Sequence, residues 1–256
     1  MYRIIASCIS HRGRVRENNE DNLYFDGKYL EEKHLGLERA VTIHRDTGQL
    51  QTFAVFDGMG GEKDGEVASY LAAVHLRQEL NHLPGWQKTP RDFLADVCRK
   101  VNQAICDEAR NRKAEGMGTT AAILCFQEEE MTVCNLGDSP VFLLREGEML
   151  PLHEEHTNRH FLEEQGITGR KPSLTQCLGI APEEMAIHPY IHEDDLKEGD
   201  QYLICSDGLT DMVPKEEIME ILQDNLTPGE CVEKLQERAL EQGGKDNITV
   251  ILCRII

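Results

Sequence analysis

The stretch FAVFDGMGG, Phe53 to Gly61, is four apolar residues, one aspartate, and then glycine at three of the next four positions. Phe53 to Phe56 reads as a buried strand. Asp57 stands where that strand leaves the core, and the glycines keep the backbone after it bare. Glycine-rich turns often cradle phosphate, so a nucleotide loop is the first reading. It fails locally. DGMGGEKDG has no Gly-Lys-Ser/Thr ending, and its leading carboxylate repels phosphate unless a cation stands between them.

Working outward, carboxylates recur beside apolar runs. RVRENNEDNLYF holds Glu20 and Asp21, VCNLGDSP holds Asp138, LICSDGLTD holds Asp207 and Asp211, and GGKDNITVIL holds Asp246. Any one Asp-Gly is most simply a turn. Five such segments in one chain are harder to dismiss, because strand ends can converge in space while lying far apart in sequence. Acids gathered at one point repel unless cations sit between them. The candidate ligands are oxygen donors, which suits Mg²⁺ or Mn²⁺ better than zinc. Glycine beside Asp57 lets the Gly58 carbonyl approach a metal as well.

The composition agrees with a cation-binding site. The 256 residues carry 27 Lys plus Arg against 46 Asp plus Glu, a formal net charge of −19, which argues against a nucleic-acid or anionic-membrane surface. Nine cysteines form no C-x-x-C pair, and Cys125, Cys134, Cys205 and Cys253 lie inside apolar runs, where each serves as a small hydrophobe. The opening MYRIIASCISHRGR lacks the features of a signal peptide, and no apolar run reaches the roughly 18 residues of a membrane span. These features predict a reduced, cytoplasmic protein.

Strands and helices alternate in blocks. Residues 2–10 and 21–30 read as strands, and 41–56 as a hairpin about the DTG turn. Glu66 to Leu80 has helical spacing. A second helix opens at TPRD, with Thr89 as N-cap and Pro90 first in the helix, and repeats Phe93, Val97, Val101 and Ile105. Asn81 to Pro90, with LPGW as punctuation, joins the two. A meander is expected over 119–152, then a polar, irregular stretch over 153–174. After these come a strand in DQYLICSDG, a short helix in PKEEIMEILQ, a capping-box helix from Thr227, and a last strand in NITVILCRII. Several strands are apolar at consecutive positions, the signature of burial on both faces. The expected class is α+β: a four-layer α-β-β-α sandwich of two antiparallel sheets flanked by helices.

In order, RENNED, VFDGMGG, GMGTTAAIL, NLGDSPVFLL, CSDGLTD and KDNITVIL resemble the motifs of the metal-dependent serine/threonine protein phosphatases, the type-2C or PPM family, in its compact bacterial form. The resemblance runs from Gly13 to Ile251. It implies one phosphatase domain over 1–256 and two metals in a cleft at one end of the sandwich. It implies Asp57 bridging the metals, the Gly58 carbonyl on one of them, Asp207 and Asp246 completing the other, and Glu20 near the second, with Asp138, Asp207 and Asp211 matching a third, weaker site. Arg16 matches the arginine that grips the substrate phosphate. The implied reaction is hydrolysis of phosphoserine and phosphothreonine on proteins by a water between two metals, opposed by a serine/threonine kinase. The same motifs would also serve a phosphoprotein- or metal-sensing module without turnover.

Three positions depart from the pattern. Met59 stands where many animal members have a histidine proposed as general acid, and methionine has no proton to give. Pro140 stands where an arginine is common. The flap-like segment at about 153–174 is short. His153, His156 and His160 lie there and are read as solvated surface.

Overall fold

A computed structural model describes residues 1–59, 64–82 and 89–256. The strands are β1 (Arg3–His11), β2 (Asp21–Phe25), β3 (Val41–Asp46), β4 (Gln51–Met59), β5 (Gly118–Thr119), β6 (Ala121–Gln127), β7 (Glu130–Leu136), β8 (Val141–Arg145), β9 (Glu148–Pro151), β10 (Tyr190–Asp195), β11 (Gln201–Cys205) and β12 (Ile248–Ile255). The helices are α1 (Gly65–Asn81), α2 (Pro90–Arg112), α3 (Arg159–Glu164), α4 (Asp207–Thr210), α5 (Lys215–Gln223) and α6 (Pro228–Glu241). One sheet has the order β3-β1-β12-β11-β8-β9 and the other β10-β7-β6-β4-β2, with β5 beside β4. Every pairing among them is antiparallel.

The consecutive apolar positions are explained by three cores. On β12, Ile251, Cys253 and Ile255 face the other sheet, while Ile248, Val250 and Leu252 face α5 and α6. On β4, Phe53 and Val55 face inward, while Ala54 and Phe56 pack under α1 and α2. These two strands therefore bury both faces, as the four-layer expectation requires. The stripe Phe93, Val97, Val101 and Ile105 is buried on α2, and Thr89 caps that helix by accepting a hydrogen bond from the Asp92 N–H. Thr227 and Glu230 form the reciprocal capping box of α6. Each of the nine cysteines is a free thiol, and eight are buried.

Several expectations change. Residues 41–56 are not a hairpin: β3 pairs with β1 in one sheet and β4 with β2 and β6 in the other. The link between them is pinned by Thr47, which is fully buried. Its N–H donates to the Tyr2 carbonyl at 3.0 Å, its hydroxyl oxygen accepts from the Tyr2 N–H at 3.0 Å and donates to the Glu128 carbonyl, and its own carbonyl accepts from the Glu128 N–H. A buried threonine tied to both sheets makes the turn a crossing between layers. The meander likewise splits into a β6–β7 hairpin in one sheet and a β8–β9 hairpin in the other, crossing at Gly137 to Pro140. β4, β6 and β7 are buried on both faces and β8 nearly so, and such strands have the same periodicity in either sheet, so spacing could not assign them. The strand expected over 21–30 ends at Phe25, where Asp26 and Gly27 take positive φ. The short α3, inside the stretch read as irregular, and strand β10, beyond it, were not expected. The LPGW connection lies outside the described residues, as do Gly60 and Gly61.

Candidate active site

The carboxylates collect at one end of the sandwich. Asp21 opens β2 and sits directly opposite Asp57 near the end of β4. Asp207 follows β11, Asp246 precedes β12, and Asp138 lies in the crossing between β7 and β8. Together with Arg16, Glu20 and Gly58 they line a cleft of about 550 Å³, with Asp21 buried beneath it.

The backbone around Asp57 is fixed from several sides. Its N–H donates to Thr120 Oγ1 at 3.0 Å, and its carbonyl accepts from Thr119 Oγ1 and from the Thr120 N–H, both at 2.9 Å. The Gly58 N–H donates to the Glu20 carbonyl at 3.1 Å. A Cβ on Gly58 would stand 2.2 Å from the Gly65 carbonyl oxygen and 2.4 Å from that of Glu20. Close packing of three chain segments is thus one reason this position is glycine, apart from any ligand role of its carbonyl.

Asn247, quoted only as part of KDN, proves to be the hub of the opposite wall. Its side-chain oxygen accepts from the Glu20 N–H at 2.8 Å, and its amide donates to the Arg12 and Asn18 carbonyls, both at 2.9 Å. It ties the Arg12–Glu20 loop to the entry of β12. An asparagine next to a candidate ligand was the signal available for it. Ser206 was also missed: its hydroxyl donates to Asp21 Oδ2 at 2.7 Å.

The electrostatics are those of an acid cluster short of positive charge. Burial first, then Asp21, Asp207, Asp138 and Asp246, hold the Asp57 carboxyl well above its ordinary range. Burial, against hydrogen bonds from Ser206 and Thr249, pushes Asp21 up to about 7. Asp138 rises to about 6, mainly by burial and then by the Asp207 charge. Burial also raises Glu20 and Asp207, in the second case against the Lys171 ammonium. Two side chains supply positive charge. Arg16 Nη2 donates to Asp246 Oδ2 at 2.7 Å, and Lys171 Nζ lies 2.6 Å from Asp207 Oδ2 and 3.1 Å from Asp211 Oδ2.

Do these residues suit divalent cations? Among the described residues, no three acid, imidazole or thiol groups are already gathered at metal-ligand spacing. Asp246 is instead turned onto Arg16, and Asp207 and Asp211 onto Lys171, so that these two side chains act as stand-in cations. Buried Asp21 Oδ1 has no hydrogen-bond partner. An all-oxygen set, raised carboxyl pKa values and an unpartnered buried oxygen fit hard divalent ions.

Comparison with known proteins decides the family. The sequence profile described as Protein phosphatase 2C matches residues 39–241. The chain belongs to the protein phosphatase 2C family. It is 32% identical over 255 residues to the serine/threonine protein phosphatase PstP of Mycobacterium tuberculosis, covering 96% of this chain but 44% of that protein, so it spans under half of that relative's length. It is also 32% identical to the serine/threonine phosphatase stp of Listeria innocua, covering 96% of this chain and 94% of that one. The crystal structure of the M. tuberculosis phosphatase superposes with a TM-score of 0.78 at 30% identity, covering 98% of each chain. The catalytic domain of PstP, solved in complex with two manganese ions, gives the same TM-score and identity over 99% of each chain. The α+β fold and its two antiparallel sheets agree with these structures.

Within this phosphatase 2C chain, Met59 pairs with Gly118 and lines the cleft. The histidine expectation needs correction. His153 is half-buried, its Nδ1 3.2 Å from the Val141 N–H, and burial lowers its pKa. His156 Nδ1 accepts from the Gly137 N–H at 3.1 Å, and burial lowers its pKa too. Both brace the loop that carries Asp138 and Pro140. Only His160, 85% exposed beside Glu164, is solvated surface.

Proposed function

We propose that residues 1–256 act as one metal-dependent phosphatase domain that hydrolyses phosphoserine and phosphothreonine monoesters on proteins. The observation that carries this reading is the convergence of carboxylates from five separate segments on one cleft with an arginine at its rim. Family membership and the two-manganese relative support it.

Asp57, the Gly58 carbonyl, Glu20, Asp207 and Asp246 would hold two divalent ions, Mg²⁺ or Mn²⁺. Asp138, Asp207 and Asp211 offer a third, weaker seat. Such ions, when bound, would supply positive charge against the phosphate dianion and a more acidic water as nucleophile near neutral pH. Arg16 grips the phosphate. A guanidinium has five N–H donors in a planar fork, and Nη2 alone is engaged by Asp246 here, so others remain for phosphate oxygens. The Asn247 hub holds the Arg12–Glu20 loop, and hence Arg16 and Glu20, against β12. Residues 153–174 form a short flap bordering the cleft. Nine free thiols support a reducing, cytoplasmic setting, and family analogy supports an opposing serine/threonine kinase. Among the described residues no helix is long and apolar enough to cross a membrane.

The test is turnover of a phosphothreonine peptide with Mn²⁺, with EDTA, and by Asp57→Asn and Asp207→Asn. The expected result is hydrolysis that needs Mn²⁺ and is lost in both variants. Hydrolysis that persists in EDTA, or in both variants, overturns the metal mechanism. No turnover with any divalent ion favours a binding module instead.

A further inference from the structure

The outer rim of the cleft carries two cations that the chain itself leaves unpaired. Arg14 and Lys245 are exposed, and among the described residues neither side chain makes a hydrogen bond or an ion pair. The cations beside the acid cluster are engaged: Arg16 on Asp246, Lys171 on Asp207 and Asp211, and Arg159 on Glu155. Positive charge collects at this corner. The His11 imidazole is held below its ordinary pKa by burial first, and then by the Arg12 and Arg14 charges.

The two side chains stand on rigid backbone. The Arg14 N–H donates to the Gly244 carbonyl at 2.7 Å, and the Asn247 amide holds the Arg12 and Asn18 carbonyls on either side, both at 2.9 Å. A Cβ on Gly13, which takes φ +81°, would stand 2.2 Å from the Asp246 carbonyl oxygen, and one on Gly244 would stand 3.2 Å from Arg14 Cγ. The turn at Gly13 and the turn at Gly244 are thus pressed together. Arg14 is followed by Val15 and Arg16, and Lys245 by Asp246, and all three of those residues line the cleft. Val15 is 66% exposed there. The corner therefore lies one residue outside the cleft wall, pre-organised and unmatched by charge.

We propose that Arg14 and Lys245 form a docking corner for the substrate chain, which selects phosphoproteins carrying Asp or Glu close to the phosphorylated residue. This rests on the phosphatase reading above and narrows its substrate class. An extended peptide advances about 3.3 Å per residue, so a carboxylate within about three residues of a phosphate on Arg16 reaches the corner. The sign of the effect makes the inference specific. A chain of net charge −19 repels acidic peptides as a whole, and by itself makes acid-flanked substrates the worse ones. Two unpaired cations at the rim reverse that order for carboxylates placed beside the target.

The experiment compares three phosphothreonine peptides with Mn²⁺: one flanked by Gln, one with Glu before the phosphothreonine and one with Glu after it. p-Nitrophenyl phosphate, which has no flanking residues, is the control. The proteins are the unmodified chain and Arg14→Gln/Lys245→Gln, whose two exposed positions accept glutamine without disturbing the core. In the unmodified chain one Glu peptide should show a KM about fivefold below the Gln peptide at equal kcat, as two exposed ion pairs allow. That preference should shrink at high salt and vanish in the double variant, with turnover of the Gln peptide and of p-nitrophenyl phosphate unchanged. Glu peptides that are no better than the Gln peptide for the unmodified chain overturn the proposal, as does a preference that survives in the double variant. Failure of the unmodified chain to turn over any ester, p-nitrophenyl phosphate included, overturns the phosphatase reading itself and this inference with it.

Discussion

Strand β11 has a buried aspartate before it and a cleft aspartate after it, and they are treated in opposite ways. Asp200, 1% exposed, precedes the strand. Arg145 grips it through Nε and Nη2, each at 2.8 Å, while the Tyr202 hydroxyl donates to it at 3.1 Å and the Lys197 N–H at 2.9 Å. Arg145 also reaches Asp194 at 2.9 Å. Asp207 follows the strand and faces Asp57, Asp138, Asp211 and Asp246, with one exposed lysine in contact. At the first end a buried charge is matched group for group, as structure requires. At the second, charge is concentrated beyond what the chain itself matches, which is a cost that folding alone does not explain.

Removing one charge at each end should have opposite effects. Asp57→Asn is expected to lower kcat/KM by about 10⁴-fold or more, roughly 5.5 kcal/mol, while raising the melting temperature of the metal-free protein. A fall in that melting temperature would show that Asp57 is structural, and the contrast would break. At the other end, Arg145→Met strands Asp200 without its partner. It should cost about 3–5 kcal/mol in denaturant unfolding and leave turnover per folded molecule unchanged. A loss below about 1 kcal/mol would mean that water reaches Asp200.

Asp21 sharpens the comparison through pH. An unfolded aspartate ionises near 4, whereas burial holds Asp21 at about 7 in the fold. Between those values the native chain keeps a proton that the unfolded chain has lost. Stability of the metal-free protein therefore falls as pH rises from about 4 to about 7, by on the order of 3 kcal/mol. Unfolding in EDTA at pH 5 and pH 8 measures the slope, and Asp21→Asn should make it shallower, the other raised carboxyls keeping the remainder. An unchanged slope in that variant would assign the dependence to other groups. The smallest effect belongs to Tyr202→Phe, which removes one of several donors to Asp200 and should cost about 1 kcal/mol.

How much of this was legible in the sequence follows from what each signal encodes. Strand and helix identities came through because burial on both faces and four-residue stripes leave a periodic trace. The acids at strand ends came through because a carboxylate beside an apolar run is conspicuous, and the order of six motifs did the rest. Sheet membership did not: β3 followed by β4 looks the same as a hairpin until Thr47 is seen bonded to Tyr2 and Glu128. His153 and His156 were misread because a histidine in a polar loop gives no sign of the backbone N–H it will meet. Lys171 was illegible for a similar reason, being thirty-six residues from the carboxylate it touches.

Thr47 closes the end of the sandwich away from the cleft, and so sets an order in time. The amides bonded there join both sheets, and they should exchange hydrogen with solvent only when the sandwich opens. Among the described residues, the backbone N–H groups from Thr168 to Lys171 donate no hydrogen bond, and they should exchange without waiting for that event. The molecule thus carries two clocks, a slow one knotted at Thr47 and a fast one beside the cleft. Conditions at the cleft can reset the fast clock while the slow one keeps its rate.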